Sequence, residues 1–149
     1  DLLSFKKMTV PTLEEIISDI EFLDNWEDRY KYIIDLGKTS PPLEDSLKND
    51  QNKVHGCASQ VWFVKETKER NGETILYFKG DSDAFLVRGL VIILFSLFSG
   101  KSPHDILEID PNKELGRLNL EKNLTMQRSN GLFSMIKRIK EDAQIFING

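Results

Sequence analysis

Residues 90–98 read LVIILFSLF, with Ser96 the only polar side chain, and this run constrains the fold more than any other segment. A membrane-spanning helix needs about 20 apolar residues. The run is far shorter and is bounded by Arg88 and Lys101. It predicts a segment buried on every side, around which the rest of the chain must wrap. Val91-Ile92-Ile93 suit a strand or a buried helix equally. Its length, an N-cap drawn from Asp81, Ser82 or Asp83, and Gly100 as the closing residue favour a helix over residues 83–99.

Other local signals are clearer. Thr12-Leu13-Glu14-Glu15 is a capping box, followed by Leu13, Ile16, Ile17, Ile20 and Leu23 at helical spacing. A second helix starts near Asn25 and carries Trp26, Tyr30, Ile33 and Ile34, with Gly37 as its C-terminal cap. Residues 38–53 read as a loop, since Pro41-Pro42 fit neither a helix interior nor a central strand. Two β-rich stretches, 59–67 and 74–78, flank Asn71-Gly72, a strong hairpin signal, with Gly80 ending the second strand. Ser102-Pro103 and Asp110-Pro111 each open a short helix. A last helix starts near Ser129 or Asn130, with Leu132, Met135, Ile136, Ile139 and Ala143 on one face and Lys137, Arg138, Lys140 and Glu141 mostly on the other. The sum is an α+β fold in which helices cover a small antiparallel sheet.

Length fits a single domain over residues 1–149, with 1–10 an unassigned N-terminal extension. Apolar residues make up 40% and charged residues 30%, enough for a packed core. The net charge of -4 lacks the basic footprint of a nucleic-acid binder. With 14 Lys against 6 Arg, 14 Ile and only 3 Ala, the composition hints at an AT-rich coding sequence. The chain begins at Asp1 rather than Met and reads as a processed form.

Chemistry centres on Cys57, the only cysteine. One thiol allows no internal disulfide, which fits a soluble protein in a reducing compartment. One Cys and two His cannot assemble a four-ligand zinc or iron–sulfur site. No phosphate-binding glycine motif is present. Cys57 lies in Val54-His55-Gly56-Cys57-Ala58-Ser59-Gln60-Val61-Trp62, between a polar loop and a strand. Gly56 removes bulk beside the sulfur and allows close approach of another molecule. In extended backbone His55 and Cys57 would share a face, so His55 could take the thiol proton. A cysteine hydrolase would also need an oxyanion site and a third, orienting group, and none is apparent. From spacing alone, the favoured reading of Cys57 is a small buried hydrophobe and that of His55 an exposed loop residue.

Asn25-Trp26-Glu27-Asp28-Arg29-Tyr30, Leu36-Gly37, Pro42-Leu43, the Val54–Trp62 stretch, Gly80-Asp81-Ser82-Asp83-Ala84 and Arg128-Ser129-Asn130-Gly131-Leu132 together resemble the SufE-type sulfur acceptors, in order and at the family's spacing, across about residues 13–139. The GC-x-SQVW element is its most specific part. The resemblance implies a fold like that of IscU-type scaffolds. It implies that Cys57 accepts persulfide sulfur from a SufS-type cysteine desulfurase, stimulates that enzyme, and passes sulfur to a SufBCD-like iron–sulfur scaffold. Pyridoxal phosphate then belongs to the desulfurase, and no cofactor is expected here. His55 and Gly56 become supporting loop residues, and Asp83 and Arg128 lie at the desulfurase interface. His55 occupies a position where the family often has Gln or His, which argues against an obligatory base. The implied compartment is a bacterial cytoplasm or plastid stroma, ahead of a mitochondrion. Chemically, one thiol suffices for such transfer, because a second nearby would release the sulfur by forming a disulfide. The loop is expected to tuck Cys57 against apolar side chains, Val54 and Trp62 among them, and to swing it out on docking.

Overall fold

The computed structural model describes residues 11–148. Helices α1 (Leu13–Phe22) and α2 (Trp26–Thr39) are followed by a short 3-10 turn at Asp45–Leu47. Strands β1 (Val61–Arg70) and β2 (Glu73–Ser82) form an antiparallel pair. Helix α3 (Phe85–Phe98) then leads through the short helices α4 (Pro103–Glu108), α5 (Pro111–Leu115) and α6 (Leu120–Asn123) to the long α7 (Met126–Asn148).

The apolar run behaves as its length demands. It forms α3, whose Leu90, Val91, Ile92, Ile93, Leu94, Leu97 and Phe98 are all buried. The hairpin packs against it: the Phe63 and Phe78 rings lie 4.9 and 5.6 Å from Phe95. Among the described residues, no helix is long and apolar enough to cross a membrane.

Thr12 and Glu15 make the reciprocal capping box that starts α1, and the Asn25 side chain accepts the Asp28 N–H to start α2. Asn71 and Gly72 take φ of 54° and 78°, the positive-φ pair of a tight hairpin turn. The register runs from Arg70 opposite Glu73 to Val61 opposite Ser82.

Four local expectations are corrected. Gly37 does not cap α2. It lies inside the helix, where an added Cβ would stand 2.1 Å from the Phe85 carbonyl oxygen. At its partner Gly89 an added Cβ would be tighter still, 1.9 Å from the Ile33 carbonyl oxygen, so α2 and α3 cross with their backbones nearly touching. Gly80 does not end β2, which continues to Ser82; a side chain there would press on Phe63, Val91 and Phe95 at 2.9–3.1 Å. None of Asp81, Ser82 or Asp83 caps α3: its N-cap is Ala84, with no side-chain hydrogen bond. Helix α7 begins at Met126, about one turn earlier than expected, with the Thr125 hydroxyl accepting the Arg128 N–H at 3.2 Å.

Candidate functional site around Cys57

The Cys57 loop is fixed at both ends and lightly held in the middle. At its start, the Val54 N–H donates to the Val61 carbonyl at 2.8 Å, and the Phe63 N–H donates to the Asn52 carbonyl at 2.8 Å. At its end, Gln60 and Asp83 exchange two bonds. The Gln60 N–H donates to Asp83 Oδ1 at 3.0 Å, and the Asp83 N–H donates to the Gln60 carbonyl at 3.3 Å. Asp83 is exposed apart from this staple. A carboxylate that receives a backbone N–H holds it more firmly than a neutral acceptor would.

Between those anchors, His55 and Gly56 form a turn rather than extended backbone. The premise that His55 and Cys57 share a face of an extended segment therefore does not hold. His55 is exposed and lies outside the cavity at Cys57. Gly56 takes φ of +92°, and a Cβ there would fall 2.4 Å from the Ser134 hydroxyl. Only glycine meets both conditions cheaply. The Gly56 carbonyl accepts from that hydroxyl at 3.4 Å.

The Cys57 sulfur points inward and donates to the Gly131 carbonyl at 3.6 Å. It borders a cavity of about 240 Å³ walled by Val87 and Leu90 of α3 and Gly131 and Met135 of α7, with Thr125, Gln127 and Arg128 also contributing. The tuck matches the expectation. Its walls do not, since Val54 and Trp62 are absent from them and the apolar surface comes from α3 and α7. Gly131 is the close neighbour, its absent Cβ leaving 3.6 Å to the sulfur. Burial pushes the Cys57 thiol above its ordinary pKa, because the apolar wall disfavours the thiolate. At neutral pH the tucked group is a protonated thiol and a poor nucleophile.

Arg128 is half-buried in the first turn of α7 and reaches the same cavity, which places the sulfur within one pocket of a permanent positive charge. Asp81, the other acid of the GDSDA segment, does something different. It is buried and accepts from the Leu43 N–H at 2.9 Å and the Ser82 N–H at 2.7 Å. It also pairs with Arg88 Nε at 3.0 Å and Lys48 Nζ at 3.5 Å. A buried carboxylate held this fully is a structural strut tying residues 40–48 to α3. Among the described residues there is no group of three or more His, Cys, Asp or Glu side chains that could hold a metal ion.

Residues of α7 are the ones that sequence reasoning misses. The sequence places Arg138 and Lys140 on its polar face without partners. Instead Arg138 donates to the carbonyls of Lys53 and Gln51 at 2.8 and 2.9 Å, and Lys140 donates to those of Leu107 and Ile109 at 3.1 and 2.6 Å. The i, i+3, i+7 spacing of Gly131, Ser134 and Arg138 marks one face, yet nothing local says which loop would lie on it.

Comparison with known proteins decides the family. Residues 14–143 match the model for SufE, the Fe-S metabolism associated domain. The chain belongs to the SufE family. An uncharacterized SufE-like protein of Rhizobium etli is 46% identical over 140 residues, covering 94% of this chain and 95% of that protein. One from Rhizobium meliloti is 47% identical over 133 residues, covering 89% of this chain and 95% of the other. The solution structure of a hypothetical protein from Thermus thermophilus shares the fold, with a TM-score of 0.65 at 23% identity over 95% of this chain and all of that one. Membership of the SufE family implies a sulfur-transfer role in Fe–S metabolism and interaction with a cysteine desulfurase.

Proposed function

We propose that this SufE-family chain carries sulfur as a persulfide on Cys57, taken from a pyridoxal-phosphate cysteine desulfurase of the SufS type. The thiolate of Cys57 attacks the terminal sulfur of the desulfurase persulfide. One sulfur–sulfur bond forms at Cys57, the bond in the donor breaks, and the donor cysteine leaves as a thiolate. Nothing is oxidised or reduced overall. The observation that most supports this is the chain's single thiol, turned toward a cavity on a turn anchored at both ends but tethered at its tip by contacts of 3.4 and 3.6 Å. Those two contacts sit at the weak end of hydrogen bonding, so release of the tip is inexpensive.

Docking moves Cys57 out of its apolar wall, restores thiolate character and presents the sulfur. Return of the loop then shields the loaded persulfide, a species otherwise open to further oxidation. Arg128 beside the cavity and the exposed edge of Asp83 give the docking face one charge of each sign, suited to orienting a partner. His55 and Gly56 support the loop. The sulfur passes on to a SufBCD-like scaffold. Such a carrier works where thiols stay reduced, which is consistent with a bacterial cytoplasm or a plastid stroma.

Desulfurase turnover of L-cysteine tests this reading. With a SufS-type partner, the protein raises turnover and Cys57→Ser abolishes the gain. Full stimulation by Cys57→Ser would instead make the chain an activator that carries nothing.

A further inference from the structure

We infer that Arg138 is a positioning residue that sets the register of the Cys57 loop on α7 and thereby controls how often the thiol is exposed. The inference rests on the reading of Cys57 as the sulfur acceptor. Three positions on one face of α7 meet the loop in turn. Arg138 Nη1 and Nη2 bind the carbonyls of Lys53 and Gln51 at 2.8 and 2.9 Å. About one turn toward the N-terminus, Ser134 meets the Gly56 carbonyl at 3.4 Å. About another turn on, the Gly131 carbonyl meets the Cys57 sulfur at 3.6 Å. The loop therefore lies antiparallel along the helix, strongly held at its base and weakly at its tip.

The guanidinium is itself fixed. Arg138 Nε lies 3.3 Å from Asp142 Oδ1, and Asp142 is only 5% exposed. Lys65 Nζ of β1 lies 3.5 Å from the same oxygen. One buried carboxylate thus ties β1, α7 and, through Arg138, the loop base together. The planar fork suits this task, because it binds two carbonyls while a third nitrogen faces the acid. A lysine carries its donors on one nitrogen at the end of a flexible stem, so it does not hold two carbonyls and the acid in one fixed plane.

The consequence is geometric. The backbone pairs at Asn52 and Val54 hold the loop base to β1 but do not fix it relative to α7. Arg138 does that near the base. Without it, β1 and Asp83 still hold the ends of the loop, but its direct register on α7 rests on the two long tip contacts. The tip then leaves α7 more often, and Cys57 meets solvent more often, while the hairpin and the helices stay folded.

The experiment is alkylation of Cys57 by iodoacetamide in the free protein, with urea unfolding measured in parallel. Arg138→Met keeps the apolar stem and removes the fork. The expected result is an alkylation rate about tenfold above the parent, the equivalent of one charge-assisted hydrogen bond. That rate should be insensitive to low urea, because it reports local opening. Arg138→Lys, the safeguard if Arg138→Met fails to fold, should give about a threefold rise. An unchanged rate in the folded variants overturns the inference. So does a rise that tracks global stability and climbs steeply with urea, since a merely structural role would give that. No desulfurase is present, so failure of the sulfur-carrier reading would appear in sulfur uptake and leave this result standing.

Discussion

Replacing Gly56 with Ala attacks the tip of the loop and nothing else. Its φ of +92° lies where an L side chain is strained, at a cost of about 1–2 kcal/mol. The new Cβ would also fall 2.4 Å from the Ser134 hydroxyl, which must turn away and give up its 3.4 Å bond to the Gly56 carbonyl, costing about 0.5 kcal/mol more. Together the tucked conformation loses about 2 kcal/mol against the open one, a shift of about thirtyfold in the open population. Iodoacetamide labelling of Cys57 reads that shift directly, and the Gly56→Ala protein should label about thirtyfold faster. Amide exchange in α3 and β2 should not change, because their bonds lie outside the loop. Ser134→Ala removes the same hydrogen bond and leaves the backbone strain, so adding it should keep the double variant at about the same thirtyfold increase. Labelling within about twofold of the parent would refute the claim that the positive φ and the contact with α7 hold the tip.

The remaining predictions concern charge, pH and packing. Burial raises the Cys57 pKa, so its protonated form contributes to the tuck fully below the ordinary thiol range and that contribution fades as pH rises through the elevated value. The midpoint of Cys57 labelling against pH should therefore lie above that of a peptide spanning residues 54–62; a midpoint at or below the peptide's contradicts the burial argument. Charge reversal at the docking face, Arg128→Glu or Asp83→Lys, should raise the concentration of this protein that half-saturates a desulfurase about tenfold, steeper at low salt, and unaltered half-saturation would remove both residues from the interface. Gly89→Ala places a Cβ 1.9 Å from the Ile33 carbonyl oxygen, backbone that cannot rotate away. It should cost about 3 kcal/mol, lowering Tm by about 10 °C in calorimetry, and a loss under about 1 kcal/mol would mean that the helices slide apart freely.

Local grammar carries a large part of this fold. Thr12 with Glu15, Asn25 with Asp28, Asn71-Gly72 and Ser102-Pro103 each act through neighbours a few residues away, so their meaning is visible in the sequence. Gly37 and Gly80 mislead because glycine ends an element when its backbone must turn, yet sits inside one when another chain segment must come close. Which of these applies depends on Phe85 and Gly89 for one and on Phe63 and Phe95 for the other, partners far away in sequence. Asp81 looks like a helix cap for the same reason, whereas Leu43 and Lys48 claim it from about forty residues upstream.

The site divides along the same line. Cys57 stands out as the only thiol, and the GC-x-SQVW element with the GDSDA segment points to the SufE family, which the family match over residues 14–143 establishes. The spacing of His55 and Cys57 suggests a pair only for extended backbone, and the positive φ at Gly56 rules that out. The walls of the cavity come from α3 and α7 and the Arg138 anchor from α7, more than seventy residues after the thiol in the case of Gly131. No periodicity within α7 could have named the loop it would hold.

The most direct test of the account is the intact mass of the protein after incubation with a SufS-type desulfurase, pyridoxal phosphate and L-cysteine. The account predicts a gain of one sulfur atom, localised to Cys57 by peptide mapping, removed by dithiothreitol and absent from Cys57→Ser. No gain in mass while the desulfurase turns over and binds this protein would contradict it.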